Sequence, residues 1–334
     1  MSVTIYDVAK EAGVSVATVS RVINQLDGVR IATKQRVLKA VEQLQYQYNP
    51  AAVALATGKS NVIGLMIPNI RNPFYAEVAE GIYREAMNKG VNVITLNLLD
   101  GENSDEGLRL LNQYSVDGLL AMDISKEMLG KVSSLVEHVV LVGNDYLDGR
   151  TNCIVTDNFT GIQMMIRHLI ELGHERIALL SEKSGYDDVK DRIRAYQYCM
   201  EEAGLSSARH VVYANGADIE NGEKSGKKWI KEGLHHSAVV VTNDMLAIGL
   251  IKALKSAGMS IPRDISVAGF DGTWVSTIVD PTLSSVVQPK YEMGTSAISL
   301  IMEKIQSPLS SPRKIVLSPT LQIGGTTAVL NTQN

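Results

Sequence analysis

The chain has 334 residues, of which 45% are hydrophobic and 20% charged, so it is expected to be globular, with two or three domains. The net charge of −4 is uneven, because residues 1–60 carry seven Lys/Arg against four Asp/Glu, which is typical of a DNA-reading head on an acidic body. The two cysteines, Cys153 and Cys199, lack metal-type spacing, the start is too polar for a signal peptide, and no apolar run could span a membrane, so we expect a cytoplasmic protein with no membrane partner.

Residues 4–24, TIYDVAKEAGVSVATVSRVIN, predict two short helices joined by a tight turn. Thr4 and Asp7 approximate a capping box, and Gly13 can take the left-handed conformation that ends a first helix spanning residues 5–12. Ser15 is placed to cap a second helix over residues 16–23. An apolar seam between the helices would consist of Val8, Val14, Val19 and Val22. This pattern predicts a helix-turn-helix.

The outward face of the second helix is where such a motif meets DNA. Val16 and Ala17 are small and apolar, which suits thymine methyl groups, while Arg21 can reach a guanine edge or a phosphate. Further candidate contacts, some of them to phosphates, are Thr4, Ser15, Thr18 and Ser20. The alternative is a helical hairpin that only packs against another part of the protein.

The same stretch resembles the N-terminus of the lactose/galactose repressor family of bacterial transcription regulators. The resemblance continues through a third helix over residues 33–46, a hinge over residues 49–58 and a sugar-binding core up to residue 327. Family members usually place a capping serine near Arg30, and its absence predicts a later helix start, at Ala32 or Thr33, with Val37, Leu38, Val41 and Leu44 on one face. The implied domains are residues 1–48 (headpiece), 49–60 (hinge helix), 61–327 (core) and 328–334 (tail).

The hinge sequence NPAAVALATG is short, and the resemblance implies that it orders as a helix when two subunits meet on the operator. In the family a leucine of this segment wedges into the central minor-groove step, and Leu55 holds the matching position. The resemblance adds as DNA contacts Asn24, Asn49 and Ala52. Tyr48 stands where a proline is usual, and Leu55 could instead be an ordinary linker residue.

From residue 60 onward, strand patterns alternate with helix patterns, which predicts an α/β fold with parallel sheets covered on both faces. Two similar doubly wound halves with repeated crossovers resemble periplasmic sugar-binding proteins. We expect an N-subdomain of residues 61–157 and 289–319 and a C-subdomain of residues 158–288 and 320–327. In such folds the ligand binds at the carboxyl ends of the strands, between the halves.

The resemblance assigns an effector pocket to six residues at such positions: Asn72, Phe74, Arg194, Asn243, Asp271 and Gln288. Carboxylates and an arginine suit paired sugar hydroxyls, and an aromatic face suits the ring. Phe74 could equally be plain core, and Asn72 could only cap a helix. The glycine-aromatic pair usual after the arginine is replaced by Gln197-Tyr198. His174 is expected to be a structural histidine at a helix end.

No nucleophile elbow, phosphate loop or zinc-type cluster appears, so we expect no enzyme activity, no cofactor and no metal. The sequence therefore predicts a repressor that binds a pseudo-palindromic operator as a homodimer and responds to a small sugar-like effector. The end of the chain, TTAVLNTQN, is too poor in leucine for a coiled coil, which favours a dimer over a tetramer. The alternatives are a solute-binding or sensor protein without a DNA role and an enzyme on the same fold.

Overall fold

The computed structural model describes residues 3–23, 27–46, 59–99, 104–146, 151–183 and 186–330. It divides into two compact units, Met1–Ser60 and Asn61–Asn334. Four predicted DNA contacts lie outside the described residues: Asn24, Asn49, Ala52 and Leu55. Within the described residues, no helix has both the length and the apolar character needed to cross a membrane.

The described residues of the first unit form three helices, α1 (Ile5–Ala12), α2 (Val16–Ile23) and α3 (Ile31–Gln43). The carboxylate of Asp7 accepts hydrogen bonds from both the backbone N–H and the hydroxyl of Thr4, at 2.8 and 2.7 Å. Gly13 ends α1 with a φ of 63°. The predicted bounds of α1 and α2 are confirmed, because the caps and the apolar seam that define them are local in sequence.

The start of α3 differs from the prediction. The helix begins at Ile31, after Arg30, without any side-chain cap, so the expected later start at Ala32 or Thr33 is wrong. The helix is stabilised by tertiary packing instead of a side-chain cap, because Val37 and Ala40 are buried against the other two helices. Leu38, which was placed on the inner face, is 48% exposed.

One lobe of the second unit, here called the N lobe, is a parallel six-stranded sheet in the order β11-β5-β4-β3-β1-β2. Its strands are β1 (Val62–Ile67), β2 (Asn92–Asn97), β3 (Gly118–Met122), β4 (Val139–Val142), β5 (Asn152–Thr156) and β11 (Lys314–Leu317). Its helices are α4 (Pro73–Asn88), α5 (Ser104–Tyr114), α6 (Lys126–Ser133) and α12 (Lys290–Gln306).

The other lobe, the C lobe, is a six-stranded sheet in the order β12-β10-β9-β8-β6-β7, in which only β12 runs antiparallel. Its strands are β6 (Ile177–Glu182), β7 (His210–Ala214), β8 (Ala238–Val241), β9 (Ser266–Asp271), β10 (Ser284–Val287) and β12 (Thr320–Gln322). Its helices are α7 (Asn158–Glu171), α8 (Asp187–Glu202), α9 (Ile219–Lys231), α10 (Asp244–Ser256) and α11 (Trp274–Ile278).

The chain crosses between the lobes three times, after β5, after β10 and after β11. The predicted α/β architecture with two doubly wound parallel-sheet lobes is therefore confirmed. In the N lobe, α4 packs on α12 with glycines at the contact, because a Cβ at Gly81 would overlap the carbonyl of Tyr291 and one at Gly294 would overlap that of Val78. This close approach holds the first turns of α12 against the middle of α4.

His174 follows α7 and is 3% exposed. Its Nδ1 lies 2.9 Å from the Ser237 hydroxyl, and its Nε2 lies 3.1 Å from that of Ser266 and 3.0 Å from the carbonyl oxygen of Ala328. Burial lowers the pKa of this histidine. The structure thus confirms the prediction of a structural, hydrogen-bonded histidine.

Candidate functional site

The exposed face of α2 is the candidate DNA interface of the first unit. Val19 and Val22 point into the core, at 0% and 3% exposure, so the opposite side of the helix is left at the surface. Ala17 and Arg21 are exposed there, and Val16 is partly exposed. This arrangement follows from the helical period, because apolar positions three residues apart share one face.

The turn before α2 is fixed by its own side chains. Ser15 Oγ accepts a hydrogen bond from the backbone N–H of Thr18 at 3.2 Å, and the two hydroxyls lie 2.9 Å apart. Ser15 and Thr4 are both exposed, at the N-terminal ends of α2 and α1. Backbone N–H groups at such helix ends attract phosphates.

Tyr6 is a surface residue that the sequence reasoning missed. Its side chain is 71% exposed in the first turn of α1, close in sequence to Thr4. The ring of Tyr6 is therefore available for contact at the N-terminal end of α1. The signal was available, because Tyr6 lies two residues before Val8 and therefore off the buried face of α1.

The second unit has a cleft between its lobes, lined by the ends of both sheets. Its inner chamber has a volume of about 50 Å³. Five of the six predicted effector residues line it together: Asn72, Phe74, Asn243, Asp271 and Gln288. An outer cavity of about 620 Å³ shares part of this lining, including Tyr75, Asp123 and Asp188, and its size falls within the range of small-molecule sites.

Arg194, the sixth predicted residue, does not reach the chamber. Its side chain is 69% exposed and pairs with Asp191 at 2.8 Å, so its assignment to the pocket is wrong in position. Arg192 lines the chamber instead. Two residues along a helix correspond to about 200° of rotation, which moves a side chain from one face to the opposite one. The family's glycine-aromatic pair is expected three and four residues after the arginine. Counted from Arg192, these positions hold Ala195 and Tyr196, which are both fully buried.

The guanidinium of Arg192 is held in a fixed orientation, with 5% of the residue exposed. Its Nε donates to Asn158 Oδ1 at 2.9 Å and one terminal nitrogen donates to the carbonyl of Thr242 at 2.7 Å. The other terminal nitrogen lies 3.1 Å from Asp188 Oδ2. The group also lies 4.0 Å from the ring centroid of Phe270. A planar donor fixed in this way can present its remaining N–H groups to ligand oxygens.

Asp271 ends β9 with an unusual φ of 112°, a conformation that a neighbouring lysine holds in place. Lys290, which is 6% exposed, donates to the carbonyls of Asp271 and Gly272, both at 2.7 Å. The Asp271 carboxylate accepts from Gln288 Nε2 at 2.8 Å, and Gln288 Oε1 accepts from the hydroxyl of Thr156 at 2.6 Å. This chain of hydrogen bonds connects β9 to two of the three crossings between the lobes.

Asn72 and Asn243 have the same role in the two lobes. Each is the N-cap of a helix, and each side-chain oxygen accepts a backbone N–H, from Phe74 at 3.1 Å and from Leu246 at 2.8 Å. Capping and lining the chamber are therefore combined in Asn72. Phe74, 6% exposed, belongs to the N-lobe core and also lines the chamber.

Three further carboxylates line the inner chamber that the sequence reasoning did not assign: Asp123, Glu182 and Asp188. Asp123 directly follows β3, and its Oδ2 accepts the hydroxyl of Tyr75 at 2.9 Å. Its position at the carboxyl end of a parallel strand was a signal that could have identified it. Asp188 lies on α8, one turn before Arg192, where helical spacing pairs the two side chains.

The chamber is strongly acidic. Burial raises the pKa of Asp123 to about 7, and the charge of Asp188 adds to the effect. Burial also raises the pKa of Asp271 and that of Asp188, against the opposing influence of Arg192 in both cases. Perturbed carboxyl groups gathered in one cleft are typical of a binding site.

No metal site accompanies these carboxylates in the part of the chain that the structure describes, where no three His, Cys, Asp or Glu side chains are placed to hold an ion. The polar groups instead combine carboxylate acceptors, a fixed guanidinium and a side-chain amide around an aromatic wall formed by Phe74 and Tyr75. Such a mixture can bind a small molecule that carries several hydroxyl groups.

Two family models match the sequence. The model for bacterial regulatory proteins of the lacI family matches residues 4–49, and the model for a periplasmic binding protein-like domain matches residues 166–327. The first match covers the three-helix unit and the second covers most of the C lobe.

Full-length relatives agree with both matches. The HTH-type transcriptional regulator RegA of Clostridium saccharobutylicum is 34% identical over 307 residues, which are 91% of this chain and 92% of that protein. Catabolite control protein A of Priestia megaterium is 34% identical over 308 residues, 90% of this chain and 92% of that protein. In fold, a Lac repressor dimer bound to operator and the anti-inducer ONPF superposes with a TM-score of 0.84 at 24% identity, covering 98% of this chain and 100% of that one.

Proposed function

Because the chain belongs to the lacI family of bacterial regulatory proteins, we propose that it is a transcriptional repressor whose operator binding is controlled by a small, sugar-like effector. The observation that carries the DNA role is the exposed face of α2. On that face Ala17 and Arg21 are exposed to solvent, while the opposite face of α2 packs into the core of the three-helix unit. The relatives are transcriptional regulators, in line with the expectation that the chain is not an enzyme.

The α2 face supports direct reading of bases. Val16 and Ala17 lie in the first turn of the helix, where a recognition helix meets base edges, and they suit thymine methyl groups. Arg21 lies one turn further along, where it can reach a guanine or a phosphate. Thr4, Ser15, Thr18 and Ser20 flank this face and complete the proposed contact set in the described residues, with Asn24, Asn49, Ala52 and Leu55 outside them.

We propose that the operator is pseudo-palindromic and that a homodimer binds it, because one three-helix head makes too few contacts for tight and specific binding. Action on chromosomal DNA would place the protein in the cytoplasm, at the nucleoid. Sedimentation equilibrium of the full chain at micromolar concentration tests the assembly. The expected mass is twice the chain mass of 36.3 kDa, whereas a particle of four chains or of one would contradict the proposal.

The cleft supports the effector role. Its residues come from both lobes, so a ligand that bonds to Asp271 and Asn72 together would change the angle between the lobes. Ligand and operator affinities would then be coupled, typically by about 1–3 kcal/mol. Asp271, Arg192, Asn243 and Gln288 would bind the effector directly, with Phe74 against its apolar face.

Selection of bound sequences from random duplex DNA by the full-length protein tests the DNA role. The expected result is an enriched sequence with two inverted half-sites, and the Ala17→Gln variant should enrich a different half-site. A protein that enriches no sequence would be a solute-binding or sensor protein of the same fold. If Ala17→Gln enriches the same half-site as the wild type, Ala17 on α2 does not read the bases.

A further inference from the structure

The inner chamber of the cleft has an unbalanced charge. Among the described residues, four carboxylates line it, those of Asp123, Glu182, Asp188 and Asp271, while the one cationic side chain in that lining is Arg192. That guanidinium lies 3.1 Å from Asp188 and 4.0 Å from Asp271, so its charge is shared between them. Asp123 lies on the opposite lobe, after β3, and its carboxylate accepts a hydrogen bond from the neutral hydroxyl of Tyr75.

Within the part of the chain that the structure describes, three buried polar atoms at this chamber have no hydrogen-bond partner in the protein. They are Asp123 Oδ1, Asp188 Oδ1 and Asn243 Nδ2. Asn243 is only 4% exposed, and its side-chain oxygen is already used to cap α10, so its amide is aimed into the chamber with a donor to spare. Buried polar groups are usually paired, so a ligand that brings donors for the two carboxylates and an acceptor for the amide would satisfy all three atoms.

The lysines around the outer cavity do not neutralise this pair. Lys126 lies 5.2 Å above the ring of Tyr146, Lys190 pairs with Asp187 at 2.8 Å, and Lys183 is exposed. Asp123 and Asp188 line the same inner chamber from opposite lobes, and the charge of Asp188 contributes to the raised pKa of Asp123. A positive charge placed between them would remove this repulsion and allow both to ionise.

We propose that the effector is a small polyhydroxylated amine, of the amino-sugar class, whose protonated nitrogen binds between Asp123 of the N lobe and Asp188 of the C lobe. This inference rests on the proposed effector role of the cleft and specifies its ligand. An ammonium group has donors for both orphaned carboxylate oxygens, and a ring or hydroxyl oxygen accepts from Asn243. A charge bound by one carboxylate of each lobe also favours closure of the cleft.

The same carboxylates select against other ligands. Within the inner chamber, a phosphorylated sugar would bring further negative charge next to Asp123 and Asp188, where the lining cation, Arg192, is already paired with Asp188. A neutral sugar would supply hydroxyl donors but leave the repulsion between the two carboxylates. Specificity of this kind arises from unfavourable interactions with the wrong ligand as much as from favourable ones with the right one.

Isothermal titration calorimetry of the full-length protein with matched sugars tests the proposal. The probes are glucose, galactose and mannose, their 2-amino counterparts, and the three 6-phosphates, at about pH 7, where an amine of ordinary pKa is mostly protonated. At least one amino sugar is expected to bind about tenfold or more tightly than its neutral parent sugar. The 6-phosphate of that parent sugar is expected to show no detectable binding.

Asp123→Asn and Asp188→Asn keep the shape of the side chains and should each reduce the preference for the amino sugar by about tenfold. The control is Glu202→Gln, which removes an exposed charge from the far end of α8, the helix that carries Asp188. It should leave the preference for the amino sugar unchanged. Circular dichroism confirms that each variant is folded.

The proposal is overturned if a neutral sugar binds as tightly as its amine, if a phosphate binds, if no amino sugar binds at millimolar concentration, or if both Asp variants keep the full preference. Operator selection without ligand is measured on the same preparation. If the protein selects no operator sequence but still binds the amino sugar, the proposed DNA role is refuted and the proposed ligand class is retained.

Discussion

Replacing Arg192 with methionine tests the central contact of the cleft. The substitution removes hydrogen bonds of 2.9 Å to Asn158 and 2.7 Å to the Thr242 carbonyl, and it leaves the Asp188 carboxylate without its cation. Breaking a buried ion pair on one side typically costs about 3–5 kcal/mol. Because Asp188 can take up a proton, we expect the lower end, about 3 kcal/mol at pH 8.

Arg194→Met is the matched control, with the same chemistry two positions along the same helix. Its guanidinium is 69% exposed and its partner Asp191 is 42% exposed. An exposed pair of this kind contributes about 0–1 kcal/mol. The expected difference between the variants is therefore about 2 kcal/mol or more.

Urea unfolding of the full chain, followed by the fluorescence of buried Trp229 in the C lobe, measures both free energies of unfolding. The pKa of Asp188 is already raised in the folded protein, and loss of Arg192 raises it further. A group with a raised folded pKa stabilises the fold at low pH and loses that contribution as the pH rises. The penalty of Arg192→Met should thus shrink from pH 8 to about pH 6. Equal destabilisation by both variants, or a penalty independent of pH, would refute the proposed role of Arg192.

Three further results are expected. The pKa of Asp123 is about 7 in the folded protein against about 3.9 when unfolded, so the wild type should gain stability from pH 8 to pH 6, and Asp123→Asn should flatten that slope in urea titrations. Arg21→Ala should weaken operator binding by about 1–3 kcal/mol in mobility shifts; an equal loss on random DNA would make Arg21 a phosphate contact. Asp271→Asn should abolish the ligand response while operator affinity stays within a few-fold, and an intact response in fluorescence titrations would move the pocket elsewhere.

Buried parallel strands were predictable where they read as continuous apolar runs. The strand Gly118–Met122 is an example, because GLLAM reads as a short apolar run and is buried at every position. The strand Ser284–Val287 was missed, because it begins with two serines. Both serines are fully buried, and their hydroxyls bond to Thr327 and Asp244, which are distant in the chain. Partners of this kind exist only in the folded protein, so no local pattern reveals them.

The candidate site shows the same limit. Asn243 and Asp271 were predictable because each stands where a strand ends, and position along the chain determines position at the sheet edge. Arg192 was confused with Arg194 although the helical period separates them, since Val189, Arg192 and Tyr196 lie on the buried face of α8. That Asp123 and Asp188 line one chamber was not predictable, because it depends on how closely the two lobes approach each other.

The interleaved path of the chain has a consequence for synthesis on the ribosome. The three-helix head is complete by residue 46, whereas the N lobe still lacks α12 and β11 when residue 289 has been added. Met293, Ala297 and Ile301 of α12 pack in the core of that lobe. Because α12 follows the C-lobe segment in the chain, the earlier N-lobe strands keep an uncovered apolar face until that segment has been synthesised. Because domains fold as they emerge, a nascent chain carries a finished DNA-reading head long before the part that regulates it. Premature termination between residues 61 and 289 would therefore yield a head with no complete sensor, free of the control that the full-length protein imposes.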